Sequence, residues 1–289
     1  MVRKISSVLI GGLLLAGTAG AQSRALDVTS GDGTKLWLAM MLREPPARQW
    51  PLHFPEPPDD ATQVTKNVTF ATVDATSLRM DVYRPRAGKT ALPALIFYAL
   101  YWPSDGAPAR ESNDWYKAWG RIAAANGIVA IVPDLRAEPG TGTAAAPARA
   151  AGDDFQRLVS FLVEHASDYG VDAGRIAVFA ESGATWAALP AVQAPSQTSV
   201  KAAVFYYGSA NIETFRQDLP ILWVRAGLDS PRTNADIARV SALGIAQNAP
   251  VTLVNYPGGH HGFEGRDAGA ATRRIIEQTL EFVRSATLR

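Results

Sequence analysis

The sequence contains no cysteine, so disulfide bonds, thiol nucleophiles and thiolate metal sites are excluded. It also carries almost no net charge, because 28 Lys and Arg residues are balanced by 27 Asp and Glu residues. Without a basic excess, we expect no nucleic-acid partner. The 289 residues are 47% hydrophobic, which permits a sizeable core and argues against a mostly disordered chain.

A membrane-spanning run of about 20 apolar residues is also missing. The N-terminal apolar run covers only residues 8–15, between Arg3-Lys4 and the small residues Ala19-Gly-Ala21. This order is typical of a secretory signal peptide, with an uncleaved anchor as the alternative. We therefore expect cleavage after Ala21, no stable membrane insertion of the mature chain, and a secreted or periplasmic location.

Composition divides the chain into three segments. Residues 1–21 form the predicted signal peptide, and residues 22–66 are rich in proline, which favours an extended arm. Trp37 and Trp50 in this arm suggest that it packs on the main body. Residues 67–289 show no internal repeat and no second periodic block, so we predict a single domain there.

Short apolar runs alternate with helical patterns from residue 68 onward. The predicted strands cover residues 68–73, 78–83, 94–98, 128–132, 175–179, 202–207, 221–225 and 251–255, with a hairpin between the first two. The predicted helices cover residues 115–126, 153–167, 186–192, 233–247 and 270–285. This alternation predicts an α/β fold with a mostly parallel sheet and helices on both faces. Catalytic groups then belong in loops after the carboxyl ends of strands.

Ser182 is the candidate nucleophile. The strand 175–179 runs into Ala180-Glu-Ser-Gly-Ala184 and then into a helix, which is the context of a nucleophile elbow. Alanine replaces both outer glycines of the usual G-x-S-x-G pattern, and it is the next smallest side chain. The alternative is that Ser182 only caps the helix that follows.

A serine hydroxyl needs a base, and the sequence offers four histidines. His53 lies in the predicted arm and His165 lies late in a predicted helix, so neither is favoured. His261 follows the last strand and precedes Gly-Phe, and it is the candidate base, with His260 as the alternative.

Asp229 follows the strand 221–225 and is the candidate acid that orients the base, the alternative being a simple turn residue. Each of the three candidates follows a strand, and their chain order is Ser182, Asp229, His261. This order differs from those of the chymotrypsin and subtilisin triads.

With these residues in place, the chain resembles α/β-hydrolases of the esterase and dienelactone hydrolase-like group, from residue 68 to the C-terminus. Phe179-Ala-Glu-Ser-Gly-Ala184 resembles the F-G-E-S-A-G elbow of carboxylesterases. Tyr256-Pro-Gly-Gly-His-His-Gly-Phe263 resembles the base loop of dienelactone hydrolase-like proteins, and Ile131-Val-Pro-Asp-Leu-Arg136 resembles the segment after the fourth strand. The resemblance implies an α/β-hydrolase fold with an N-terminal antiparallel hairpin and the Ser182, Asp229 and His261 triad.

The chain departs from the family at the third strand of the fold. Many members carry H-G-G-G-W where this sequence has Tyr98-Ala-Leu-Tyr-Trp102. If Trp102 aligns, the resemblance assigns the oxyanion hole to the backbone N–H groups of Leu100, Tyr101 and Gly183. The alternative is that these aromatic residues only pack the pocket floor.

The segment between strands 202–207 and 221–225 is too short for a large lid, so we expect soluble or surface-accessible esters as substrates. Trp102 and Trp186 are predicted to line the substrate pocket and Trp115 to lie near its mouth, although all three suit the core as well. No phosphate-binding loop appears, and neither Asp59-Asp60 nor Asp153-Asp154 has histidine partners at metal spacing, so we predict no cofactor and no metal.

The sequence therefore predicts an exported serine hydrolase that cleaves carboxylic esters of small molecules through an acyl-enzyme. A peptidase or an acyltransferase on the same fold would need the same catalytic residues and stays an alternative. A non-catalytic binding protein that has kept the fold is a third interpretation, because the elbow and the oxyanion segment are both altered. The sequence indicates no particular oligomeric state.

Overall fold

A computed structural model describes residues 51–87, 91–101, 108–136 and 145–288. A single 3₁₀ turn at Asp59–Ala61 leads into a hairpin of strands β1 (Thr62–Val73) and β2 (Thr76–Pro85). The hairpin turns at Asp74 and Ala75, which both have positive φ, as a two-residue turn between twisted strands requires. The hairpin confirms the prediction, although β1 begins at Thr62, inside the segment assigned to the arm.

The rest of the chain alternates between strands and helices as the apolar pattern predicted. The other strands are β3 (Leu92–Phe97), β4 (Leu100–Tyr101), β5 (Val129–Pro133), β6 (Leu135–Arg136), β7 (Val171–Glu181), β8 (Val200–Tyr206), β9 (Ile221–Ala226) and β10 (Val251–Tyr256). The helices are α1 (Ala109–Ser112), α2 (Asp114–Ala125), α3 (Ala145–Glu164), α4 (Ala166–Tyr169), α5 (Thr185–Gln193), α6 (Pro231–Ala246), α7 (Phe263–Arg266) and α8 (Ala270–Ala286).

Eight strands form one sheet in the order β1-β2-β5-β3-β7-β8-β9-β10. Strand β2 is antiparallel to both β1 and β5, and every other neighbouring pair in this sheet is parallel. Strands β4 and β6 pair separately as a short parallel ladder. This is the mostly parallel sheet with an N-terminal hairpin that the sequence predicted.

The sheet separates two apolar cores, because neighbouring residues of its strands point to opposite faces. In β5, for example, Val129 and Ile131 join one core while Ala130 and Val132 join the other. Helices α3, α5 and α6 cover the first core, and α2 and α8 cover the second. Helices therefore lie on both faces, as expected.

Several elements differ from the sequence prediction at their ends. Helix α3 begins at Ala145, earlier than the predicted start at residue 153, because its first turns hold alanines that carry no clear apolar period. His165 lies between α3 and α4 rather than inside one helix, and its Nδ1 is 3.3 Å from Asp168 Oδ2. The short elements β4, β6, α1, α4 and α7 were not predicted, since two to four residues give no detectable period.

The described part of the predicted arm lies against the main body. Leu52 is buried, and the backbone N–H of His53 donates to the Glu264 carbonyl at 2.7 Å. Arg121 on α2 forms an ion pair with Glu56 at 2.7 Å. The predicted signal peptide and the arm up to residue 50 lie outside the described residues. Within the described ranges, no helix combines the length and apolar character needed to cross a membrane.

Trp119 offers a test of the core under β7. Its side chain is fully buried, and its ring lies 5.3 Å from Phe179 and 6.0 Å from Phe97. Trp119→Ala leaves a cavity among these rings and should lower the free energy of unfolding by about 3–5 kcal/mol. Ile245→Ala, at a side chain that is 58% exposed on α6, is the control and should change it by no more than about 0.5 kcal/mol. Urea unfolding midpoints measure both, and equal midpoints for the two variants would contradict this account of the core.

Candidate active site

The turn from β7 into α5 holds Ser182 in an unusual backbone conformation. Ser182 has φ +46°, in the left-handed region that non-glycine residues rarely adopt. A short 3₁₀ turn, Ser182–Ala184, leads directly into Thr185 and α5. Such strain persists only where the surroundings enforce it, and it is common at catalytic nucleophiles. The conformation fits a nucleophile elbow better than an ordinary helix cap.

Close packing around the turn restricts which residue can lie against Ser182. A Cβ atom on Gly208 would lie 2.3 Å from the Ser182 carbonyl oxygen and 2.4 Å from Thr185 Oγ1. Ala180 and Ala184 are buried, whereas a Cβ on Gly183 would meet nothing within 4 Å. The tightest constraint therefore falls on Gly208, after β8, which a local motif search does not reach.

Hydrogen bonds between backbones join the loop after β9 to the loop after β10. Gly227 donates its N–H to the Tyr256 carbonyl at 2.7 Å, and Leu228 donates to the Gly259 carbonyl at 2.8 Å. A Cβ on Gly227 would lie 2.4 Å from the Pro257 carbonyl oxygen, so only glycine allows this approach. The two loops are thus fixed relative to each other just before Asp229 and His261.

The structure brings Ser182, His261 and Asp229 into one hydrogen-bonded chain. Ser182 Oγ lies 2.8 Å from His261 Nε2, and His261 Nδ1 lies 2.7 Å from Asp229 Oδ2. The Asp229 side chain is 2% exposed, and its other oxygen accepts the N–H of Ser230 at 2.6 Å. Because Asp229 accepts from Nδ1, Nε2 is left free to accept the serine proton.

His260, the alternative base, makes different contacts. Its Nδ1 lies 2.7 Å from Asp267 Oδ1, and its backbone N–H donates to Asp267 Oδ2 at 2.7 Å. Asp267 lies just beyond α7, so this pair ties the base loop to the chain that follows it. The described structure shows no contact between His260 and Ser182, so the geometry favours His261.

The structure describes the backbone of all three predicted oxyanion residues, whereas residues 102–107, which follow two of them, lie outside the described ranges. Leu100 and Tyr101 form β4 and pair in register with Leu135 and Arg136 of β6. Gly183 lies in the 3₁₀ turn directly after Ser182. The assignment of these three N–H groups to the oxyanion hole stays a prediction.

The three tryptophans predicted at the pocket have different surroundings. Trp102 lies outside the described residues. Trp186, on α5, is partly buried and packs against the apolar core, so its role in the pocket stays a prediction. Trp115 is 5% exposed, with its ring 4.9 Å from that of Tyr116, which makes it a core residue rather than one at the pocket mouth.

Three further residues lie next to Ser182 and His261 and were not identified from the sequence. They are Glu181, Tyr207 and Glu264. The Tyr207 ring centroid is 4.6 Å from that of His261, and its hydroxyl lies 2.8 Å from Glu181 Oε2 and also contacts Glu264 Oε1. Removal of its carboxyl from water raises the pKa of Glu181 to about 6 and raises the pKa of Glu264 well above its usual value. The two glutamates had a sequence signal in their positions, directly before the candidate nucleophile and three residues after the candidate base, whereas Tyr207 had none.

The arrangement has the parts needed for acyl transfer: a hydroxyl, a base within hydrogen-bonding distance and a carboxylate that orients the base. Among the described residues, no group of three or more His, Asp and Glu side chains could hold a metal ion.

The chain matches a protein family and several solved structures. Residues 116–287 match the model of the dienelactone hydrolase family. No curated protein matches this chain at a significant level. Among solved structures, the chain is similar to brefeldin A esterase, a bacterial homologue of human hormone sensitive lipase, with a TM-score of 0.64 and 16% identity over 81% of each chain.

Two further solved structures show the same fold. A fungal esterase from Rhizomucor miehei gives a TM-score of 0.64 at 14% identity, over 89% of this chain and 97% of the other. A thermophilic esterase from the Planctomycetes species Thermogutta terrifontis gives 0.59 at 20% identity, over 78% and 93%. At these identities the likenesses establish the α/β-hydrolase fold. Because the family model covers more than half of the chain, this carboxylic ester hydrolase belongs to the dienelactone hydrolase family.

Proposed function

We propose that this protein is an exported serine esterase that hydrolyses carboxylic esters of small molecules through an acyl-enzyme on Ser182. The observation that carries the proposal is the unbroken chain from Ser182 Oγ through His261 to Asp229, with links of 2.8 and 2.7 Å. Both links are within the range expected for a nucleophile and its oriented base. Export rests on the signal-peptide pattern of residues 1–21.

In the first half of the reaction, Ser182 Oγ attacks the ester carbonyl carbon while His261 Nε2 takes the hydroxyl proton. The carbonyl oxygen becomes an oxyanion, which the N–H groups of Gly183, Leu100 and Tyr101 are proposed to bind. The imidazolium is stabilised by Asp229, and it then gives its proton to the departing alkoxide oxygen. The alcohol leaves, and the acyl group remains on Ser182.

In the second half, a water molecule gives a proton to His261 Nε2 and attacks the acyl carbon. The tetrahedral intermediate collapses when Ser182 Oγ leaves and recovers the proton from the imidazolium. The products are the carboxylic acid and free enzyme, so the sum of both halves is ester hydrolysis. His261 alternates between base and acid, which requires that its ring stay hydrogen-bonded to Asp229 throughout.

Labelling by a fluorophosphonate tests the nucleophile directly. The purified mature protein should form a covalent adduct on the peptide that contains Ser182, because the His261 contact activates this hydroxyl. Peptide mass spectrometry locates the adduct, and Ser182→Ala is the control. A folded protein that stays unlabelled, or that is labelled equally after Ser182→Ala, would contradict the proposal and favour the non-catalytic alternative.

Adjacent histidines provide a matched pair of variants for the base. His261→Asn should lower kcat for phenyl acetate roughly 10³-fold or more, because no other side chain in the described part of the chain is hydrogen-bonded to Ser182 Oγ. His260→Asn should keep most of the kcat of the unmodified protein, since this ring binds Asp267 rather than Ser182. Initial rates of phenol release measure both variants, and the reverse ranking would assign the base to His260.

Export is tested by expressing the full chain with its own N-terminus in a Gram-negative host. The protein recovered from the periplasm or medium should begin at Gln22, as N-terminal sequencing or intact mass would show. Replacing Arg3 and Lys4 with Glu removes the basic start and should reduce export. A membrane-bound protein that retains Met1 would instead support the uncleaved anchor.

A further inference from the structure

A pair of glutamates lies beside the Ser182 and His261 contact and is bridged by one tyrosine. The Tyr207 hydroxyl lies 2.8 Å from Glu181 Oε2 and also contacts Glu264 Oε1. We refer to Glu181 and Glu264 as the acid pair. They come from different elements, because Glu181 ends β7 and Glu264 lies in α7. The bridge therefore connects the nucleophile strand with the helix that follows the base.

The backbone fixes Tyr207 in this bridging position. Tyr207 follows the last residue of β8, has φ +34° and donates its N–H to the Val224 carbonyl at 2.9 Å. Its ring packs against His261 with 4.6 Å between centroids. A residue held in a sparsely populated conformation at the edge of an active site is a common sign of functional constraint.

Proton counting limits the charge of the acid pair. A tyrosine hydroxyl has one proton and can donate to only one carboxylate at a time. Its close contact with both carboxyls is satisfied only if one of them is protonated and donates to Tyr207 Oη. Two ionised carboxylates that both contact one hydroxyl would also repel each other strongly in a site removed from water. The pair therefore carries one negative charge and one proton.

The surroundings assign the proton to Glu264. Glu264 is completely buried, and its Oε2 has no hydrogen-bond partner among the described residues. Glu181, by contrast, accepts hydrogen bonds from Tyr207 and, at 3.5 Å, from the Tyr116 hydroxyl, and these favour its ionised form. Consistent with this, desolvation and the neighbouring Glu181 charge raise the pKa of Glu264 well above its usual value, whereas the pKa of Glu181 rises only to about 6.

Among the described residues, few titratable or charged groups lie around Glu181. Tyr116 faces it from α2, Tyr207 from the end of β8, Glu264 from α7, and His261 from the loop after β10. Glu264 also faces Asp267, which is itself paired with His260. Of these described groups, His261 alone gains a positive charge during the proposed reaction.

We propose that the acid pair is an electrostatic and positioning device for His261, in which a protonated Glu264 donates to Tyr207 and Tyr207 holds Glu181 as a carboxylate. The single negative charge of Glu181 then stabilises the His261 imidazolium in addition to Asp229. Tyr207 keeps the imidazole in place through ring contact. This inference rests on the proposed triad, but it concerns positioning residues that act through His261 and do not touch the reacting atoms.

A direct test measures the carboxyl groups in the protein itself. In protein carrying ¹³C-labelled glutamate, NMR titration should show two abnormal Glu side chains, one titrating near pH 6 and one well above it. Glu264→Gln should remove the higher titration and leave the other near pH 6, because Glu264 is already neutral when Glu181 titrates. Glutamates that all titrate below pH 5 would overturn the proposal. This readout needs no activity, so it is independent of whether Ser182 is the nucleophile.

Isosteric variants test the assigned charge through activity. Glu181→Gln removes the negative charge and should lower kcat roughly tenfold with little change in KM, since ester binding does not involve the imidazolium. Its kcat/KM profile should also retain activity to lower pH than the unmodified protein. Glu264→Gln replaces one neutral donor with another, so it should lower kcat much less than Glu181→Gln does and should not shift the pH profile.

The results for these two variants and for fluorophosphonate labelling distinguish failure of this inference from failure of the proposed triad. Equal losses of kcat in both, or a changed pH profile in Glu264→Gln alone, would show that the charge is not on Glu181 and would overturn the inference. If Glu181→Gln does not fold, the NMR titration of the unmodified protein still decides. Failure of the fluorophosphonate to label Ser182 would reject the proposed triad without altering the carboxyl titrations.

Discussion

The strained turn at Ser182 is the constraint on which the rest of the site depends. A residue with a side chain at φ +46° is stable only if its neighbours leave no alternative, and here Gly208 lies directly against its carbonyl. The same turn starts α5 immediately after the strand, so the hydroxyl stands at the edge of the sheet. Strain of this kind costs about 1–3 kcal/mol, which the surrounding structure must offset.

The parallel sheet then determines where the partners of Ser182 come from. Strands β7, β8, β9 and β10 are adjacent and parallel, so their carboxyl ends lie along one edge. Glu181 is the last residue of β7, and Ser182 comes directly after it. Tyr207, Asp229 and His261 come after β8, β9 and β10, respectively. Residues far apart in sequence therefore meet because of strand order, and the two hydrogen bonds between the loops after β9 and β10 fix their final approach.

The sequence predicted those parts of the site that depend on local pattern. Apolar runs located the strands, and Ser182, Asp229 and His261 could be chosen because each follows a run. Glu181, Tyr207 and Glu264 gave no such signal, because a glutamate or tyrosine next to a strand or helix is usually a surface residue. Their proposed roles arise from side-chain contacts between the end of β7, the residue after β8 and helix α7, which strand order alone does not determine. Gly208 was missed for a similar reason. It lies after β8, whereas the residues that restrict it, Ser182 and Thr185, lie after β7.

The chain contains no cysteine, so no disulfide bond stabilises the site, and an aromatic cluster packs next to it. Phe179 lies three residues before Ser182 on β7, and its ring is 5.3 Å from Trp119 and 4.8 Å from Tyr206. Tyr206 ends β8 directly before Tyr207. One aromatic cluster therefore packs against both β7, which leads to Ser182, and β8, which leads to Tyr207. Burial of such large rings contributes roughly 25 cal/mol per Å² of apolar surface, which is enough for a few of them to offset the strain at Ser182. The aromatic core and the candidate site are therefore joined through the same two strands.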